Sequence, residues 1–219
     1  IKIKITNVAL SGGMIIQNYD FEVRSREGVV YVGDTYFGFF SKAALADQIG
    51  IREVESYAPS EIELARSQRF AYPEQAPYPQ AQMRMVDEID CFDAEGGPQG
   101  LGFIRGLAKV DTEAWFFKAH FHQDPVWPGS LGLESFMQLL KVVAEQRWGC
   151  DGLFQCMALG QAHSWLYRGQ ILPSDELVSV QACITAIDDE ECSLKADGFL
   201  SVDGRIIYQM NDFALRMAK

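Results

Sequence analysis

Two histidines and a glutamate share one short stretch, "WFFKAHFHQDPVWPGSLGLESFMQLLK", residues 115–141. His120 and His122 precede "DPVWPGSLG". Glu134 stands in the apolar run that follows, and Gln138 lies four positions further along the same helix face. An imidazole exchanges protons near neutral pH. A carboxyl group on an apolar wall is costly unless it is used. Gly129 directly follows Pro128, where the backbone can approach a ligand closely. Ser130 is an N-cap candidate, and the first free N–H groups of a helix can receive a developing oxyanion. Together these groups suit proton abstraction beside a carbonyl, with proton delivery to a leaving group. A metal reading takes His120, His122 and Asp124 as alternate residues on one strand face. Only His163 remains as a further histidine, and Pro125 interrupts the strand, so that reading is set aside.

The elements that must hold these residues follow from periodicity. "WFFKAHF" reads as a strand running up to two prolines that fix φ and remove donors. "LESFMQLLKVVAEQRW" is apolar nearly all round at helical spacing, which predicts a buried helix. Strand-like runs precede the site ("MRMVDEIDCFD", "LGFIRGLAKV") and follow it ("QAHSWLYRGQILP", "ELVSVQACITAID", "CSLKADGFLSVDG", "RIIYQMNDFALRM"). Further upstream, "IKIKITNVAL", "MIIQNYDFEV" and "VVYVGDTYFGFF" alternate as a three-stranded meander. "SKAALADQIG" and "YAPSEIELARSQRF" read as short helices, the second capped by Ser60, and "AYPEQAPYPQAQ" reads as a loop or linker.

Setting Gly28 on Gly204 aligns "REGVVYVGDTYFGFF" with "VDGRIIYQMNDFALR" without a gap and brings the "SGG" turn onto the acidic turn of "IDDEE". One offset that accounts for both hairpins favours a duplicated unit. Residues 1–45 therefore read as the closing meander of a preceding, partial unit whose apolar strand faces need a cover. Residues 46–80 read as a helical and Pro-rich linker, and 81–219 as the main domain. The absence of a starting methionine fits a piece of a longer polypeptide.

Composition narrows the classes. A net charge of −11 excludes a nucleic-acid partner, which needs clustered Lys and Arg. No apolar run reaches membrane-spanning length, so no membrane partner is expected. The five cysteines are odd in number and widely spaced, as reduced thiols of a cytoplasmic protein are. The acidic "IDDEE" run reads as a solvated hairpin turn.

The opening stretch resembles the active-site segment of the β-hydroxydecanoyl-acyl-carrier-protein dehydratase family, with the pattern WFF-x-x-HF-x-x-DPV-x-PG-x-LGL-[DE]-x-x-x-Q. The match runs from about Met83 through "DGRIIYQMNDFALRM". "RSQRFAYPEQAPYP" and the upstream half-copy resemble the tandem dehydratase domains of multidomain polyunsaturated fatty acid and polyketide-type synthases. The resemblance implies an α+β hot-dog fold, an antiparallel sheet wrapped around a central helix over 131–147, with strands of a second, partial hot-dog unit at the N-terminus. Such units pair, as homodimers or as neighbours within one chain, with each active site at the junction.

The implied reaction is syn elimination of water from a (3R)-3-hydroxyacyl thioester, giving the trans-2-enoyl thioester. His120 would take the α-proton, and Glu134 would protonate or orient the departing hydroxyl. The Gly129 N–H, beside Ser130, would polarise the thioester carbonyl. The Val126 carbonyl would orient the imidazole, Gln138 would hold Glu134, and His122 would be a bystander. No metal or redox cofactor is implied, because the thioester acidifies the α-position; the substrate would ride on the phosphopantetheine of an acyl carrier protein tethered in the same polypeptide. Arg147 and Arg168 are candidates for contacting that arm. Glutamate rather than aspartate at 134 points to dehydration without double-bond isomerisation. The rival readings are a scaffolding hot-dog domain without catalysis and an acyl-thioester hydrolase on the same fold.

Overall fold

The computed structural model describes residues 1–11, 13–41, 49–149, 153–155 and 157–218, so the helix read over "SKAALADQIG" falls largely outside the described residues. The chain divides into two compact units, Ile1–Gln48 and Ile49–Lys219.

In the first unit, β1 (Lys2–Ser11), β2 (Met14–Ser25) and β3 (Gly28–Phe39) form an antiparallel sheet in chain order. Cross-strand partners share a face. The sets Ile3–Phe21–Gly33, Ile5–Tyr19–Thr35, Val8–Gln17–Phe37 and Leu10–Ile15–Phe39 therefore gather the apolar side chains on one side. Ile3, Ile5, Val8, Leu10, Phe37 and Phe39 are exposed there within this chain.

The second unit opens with a clasp. Helix α1 (Glu61–Arg66) starts on Ser60, as its sequence predicts, with a complete capping box between Ser60 and Glu63. It stops after one and a half turns because the next residues are taken by β4 (Gln68–Ala71), which pairs with β5 (Glu88–Asp93). The Glu63 carboxylate also accepts from the Tyr57 hydroxyl (2.6 Å) and the Gly97 N–H (2.9 Å). Arg66 donates twice to the buried Asp93, at 2.9 and 2.7 Å. The Pro-rich segment that follows packs onto the domain core rather than running free: Tyr72 and Tyr78 are buried edge-to-face, 5.5 Å apart.

After β6 (Phe103–Lys109) the chain makes helix α2 (Trp115–Ala119) and then the long helix α3 (Gly129–Trp148). Short β7 (Leu153–Gln155) and β8 (Ser164–Tyr167) follow, then the long strands β9 (Leu177–Asp188), β10 (Ser193–Val202) and β11 (Arg205–Ala218). The eight-stranded sheet runs β4-β5-β6-β9-β10-β11-β7, with β8 also on β11. Its concave side closes on α3, which touches β6, β9, β10 and β11. Strand β10 alternates buried and half-buried along its length, the period-2 pattern of a sheet with one face on the core. Gly198 permits the closest approach, since a Cβ there would strike the Phe136 ring of α3 and the Gln181 carbonyl of β9.

The two meanders, β1–β3 and β9–β11, are built alike. The second hairpin closes on Ser25–Gly28 in one and Val202–Arg205 in the other. A register shift follows at the same place, with Val23 facing Tyr31 in the first and Leu200 facing Tyr208 in the second. This sets Gly28 beside Arg205, one residue along from the Gly28–Gly204 offset read in the sequence. The local repeat is retained with that shift.

Candidate active site

Helix α3 carries three polar side chains along one face at helical spacing: Glu134, Gln138 and Lys141. Gln138 is fully buried. Its amide nitrogen donates to the Met83 carbonyl (2.8 Å) and to Glu134 Oε1 (3.0 Å), and its oxygen accepts from the Met85 N–H (2.9 Å). Lys141 Nζ donates to the same Glu134 Oε1 at 3.0 Å. The Tyr72 hydroxyl donates to the Gln138 carbonyl at 3.2 Å, and burial first, then the Glu134 charge, holds its phenol above its ordinary range. Gln138 and Lys141 thus both donate to Glu134, and Lys141 is a partner that the pattern does not name.

The helix starts two residues earlier than an N-cap at Ser130 requires. Pro128 occupies the cap with extended backbone (ψ 130°) and Gly129 is the first helical residue. Proline has no N–H to satisfy, so this start leaves no donor wasted at the cap. Ser130 instead lies exposed in the first turn and makes no side-chain cap. Leu131 N–H bonds back to the Pro128 carbonyl (2.9 Å), and the Gly129 and Ser130 N–H groups have no acceptor among the described residues. A Cβ on Gly129 would lie 3.3 Å from Trp165 and 3.4 Å from Tyr167. These two rings of β8 stack at 5.6 Å, and Tyr208 of β11 meets Tyr167 edge-on at 4.7 Å. Tyr208 in turn fills the space left by Gly132, where a Cβ would collide with its ring. Two glycines on one helix end thus seat an aromatic wall beside the free N–H groups.

"WFFKA" forms helix α2 rather than the strand its apolar run predicts. Consecutive Phe116 and Phe117 are both buried against Trp127, with ring centroids 4.6 and 6.4 Å away. A strand would send them to opposite faces. His120 is the C-cap of α2, its N–H bonded to the Phe116 carbonyl (2.9 Å), and its exposed ring lies 4.0 Å from that of Phe121. With the strand gone, His120, His122 and Asp124 lose the shared face that the metal reading required. Residues His120–Pro125 form an exposed turn through Gln123, whose φ of 56° is left-handed. Val126 and Trp127 then bury, and Trp127 N–H bonds the Ile171 carbonyl at 3.0 Å. Among the described residues no hydrogen bond or ion pair joins the His120 imidazole to Glu134 or to the Val126 carbonyl. His163 meets Phe213 at a tilt, ring centroids 4.5 Å apart, and burial lowers its pKa, which favours the neutral ring.

Arg147, at the end of α3, is held by Asp189 of the acidic hairpin through two hydrogen bonds of 2.7 Å, and the Trp148 indole donates to the same carboxylate at 2.9 Å. Glu191 pairs with Arg216. The acidic hairpin is thus partly neutralised by the domain itself, and Arg147 is committed to it.

Residues 78–211 match the model of the FabA-like domain. This chain belongs to that family. The FabA-like match fits the hot-dog architecture seen here, an antiparallel sheet around one long helix, α+β in class. A curated relative, one of the subunits of the polyunsaturated fatty acid synthase of Thraustochytrium sp., is 31% identical over 242 aligned positions, covering 98% of this chain but 16% of the relative. The dehydratase heterocomplex ApeI:P from Xenorhabdus doucetiae aligns over 74% of this chain and 93% of its own, with 15% identity and a TM-score of 0.48. A hypothetical thioesterase protein from Streptococcus pneumoniae, solved with coenzyme A, aligns over 53% of this chain and 78% of its own, with 13% identity and a TM-score of 0.39. Among the described residues no helix is long and apolar enough to cross a membrane.

Two parts of this FabA-like site were missed by sequence reasoning. A lysine in the middle of an apolar helix, seven residues after the glutamate, was the available signal for Lys141. The backbone clasp of Met83 and Met85 on Gln138 had no signal, because main-chain groups carry no residue type.

Proposed function

We propose that this domain removes water from (3R)-3-hydroxyacyl thioesters to give trans-2-enoyl thioesters. The observation that carries the reading is the Glu134 carboxylate. It is braced by Gln138 and Lys141 just inside the N-terminus of α3, where the Gly129 and Ser130 N–H groups are free. A thioester carbonyl set on the Gly129 N–H would be polarised, and such a donor is typically worth about 2.7–4 kcal/mol as negative charge develops. The α-proton so acidified passes to His120, and the departing hydroxyl is handled at Glu134. The thioester itself supplies the electron sink, so the reading calls for no resident cofactor.

The exposed turn His120–Pro125 needs a wall to exclude water during this chemistry. A neighbouring hot-dog unit or a second copy of the chain would provide one, with the active site at the junction. The similarity to part of a polyunsaturated fatty acid synthase supports a carrier-bound substrate delivered within a longer cytoplasmic polypeptide. Glutamate at 134 favours dehydration alone.

The test is the product of a 3-hydroxyacyl pantetheine thioester incubated with the 219-residue chain. The reading expects the conjugated 2-enoyl thioester with the thioester bond intact. Release of free thiol without enoyl product would overturn it in favour of hydrolysis.

A further inference from the structure

Lysine is almost never fully buried unless it is paired, yet Lys141 stands in the middle of α3 with its side chain 8% exposed. Its ammonium lies 3.0 Å from Glu134 Oε1, and the Gln138 amide donates to the same oxygen from 3.0 Å. Both donors occupy one carboxylate oxygen, and no hydrogen bond to Oε2 is seen among the described residues. Glu134 itself keeps a quarter of its side-chain surface accessible, 25%. Oε2 is therefore the oxygen of Glu134 left without a protein donor among the described residues, on a side chain that is still partly accessible.

The other groups near the pair do not compete for it. Tyr72 donates its hydroxyl to the Gln138 carbonyl, and burial keeps that phenol protonated. Arg84, between the two methionines that hold Gln138, pairs with Glu74 at 2.6 Å.

We infer that Lys141 is a positioning residue of the site: its buried ammonium keeps Glu134 an ionised acceptor and leaves Oε2 alone to receive the substrate's β-hydroxyl. This rests on the dehydratase reading and decides what Glu134 does in it. A carboxylate has no proton to give. The proton that leaves with the hydroxyl is then the one His120 has taken from the α-carbon. The Cα–H bond breaks and its electron pair becomes the second bond of the enoyl group. The Cβ–O bond breaks with its pair on oxygen, the imidazolium returns its proton to that oxygen, and water departs with no net change in either residue.

The test compares Lys141→Met, Lys141→Gln and Lys141→Arg on a 3-hydroxyacyl pantetheine thioester, with unfolding curves to establish that each variant is folded. Lys141→Gln keeps a neutral donor to Oε1 and serves if the methionine variant does not fold. The expected result is a fall in kcat of about 10- to 100-fold for Met and Gln, the scale of one charge-assisted hydrogen bond, with KM little changed. Lys141→Arg restores most of the lost kcat. If Met and Gln keep the parent kcat, or lose activity only through a raised KM, the inference is overturned while the dehydratase reading stands. A parent chain that yields no enoyl product overturns the reading beneath it.

Discussion

Replacing Gln138 by leucine keeps the side chain's bulk and removes every hydrogen bond it makes. The Met85 N–H, in a residue that is only 3% exposed, loses its acceptor and gains no water. A buried donor left unsatisfied costs about 1–3 kcal/mol. The Met83 carbonyl, in a half-exposed residue, is partly rehydrated, and Glu134 keeps Lys141, so each of those losses is nearer 0.5–1.5 kcal/mol. The total comes to about 2–6 kcal/mol, or roughly 4–24 °C in Tm for a domain of this size. Urea unfolding of parent and variant, with a check that the slope is unchanged, measures it. Turnover should fall as well, because Glu134 is then held by one donor instead of two. A variant that unfolds within about 0.5 kcal/mol of the parent would show that the brace carries no energy, and the reasoning from orphaned groups would fail.

Gly132→Ala should cost about 1–3 kcal/mol, because the added Cβ sits 2.8 Å from the Tyr208 hydroxyl and the buried ring has no room to yield. It should also displace the Trp165–Tyr167 stack, read as a change in tryptophan fluorescence; parent-like stability and emission would contradict this. The clasp around α1 should open in acid. Hydrogen bonds from Tyr57 first, and then from Ser60 and Gly97, hold the Glu63 carboxyl at about 2 against an ordinary 4.5. A depressed folded-state pKa stabilises above the unfolded value and is lost as pH falls through the window from about 4.5 to 2. Hydrogen exchange of residues 57–66 should therefore quicken across that window in the parent and stay flat in Glu63→Gln.

The parts of the fold that were legible in the sequence are those whose periodicity matches their burial. β9, β10 and β11 alternate and form one sheet, α3 is apolar nearly all round and lies inside it, and Ser60 with Glu63 announced a capping box that is present. The failure at "WFFKAHF" has a definite cause. A run of aromatics has no period of its own, and the burial of both Phe116 and Phe117 against Trp127 selects a helical turn. β4 reads as part of the preceding helix because "SQRFA" has no glycine or proline to mark the break at Ser67; pairing with β5 makes it a strand. Of the candidate site, the glycine at the helix start and the Glu134–Gln138 pair were readable from spacing along one helix. Lys141 went unread although its place in an apolar run was a signal, because a lysine in a helix is ordinarily a surface residue and its burial is what gives the signal weight.

The central claim is that His120 removes the α-proton of a 3-hydroxyacyl thioester, and His120→Ala tests it most directly. His120 is exposed and its imidazole makes no hydrogen bond among the described residues, so the substitution should leave the unfolding curve within about 0.5 kcal/mol of the parent. The account predicts a folded variant in which dehydration of the thioester, and hydration of the enoyl thioester in reverse, fall by at least about 10²-fold. A folded His120→Ala variant with parental turnover would contradict it.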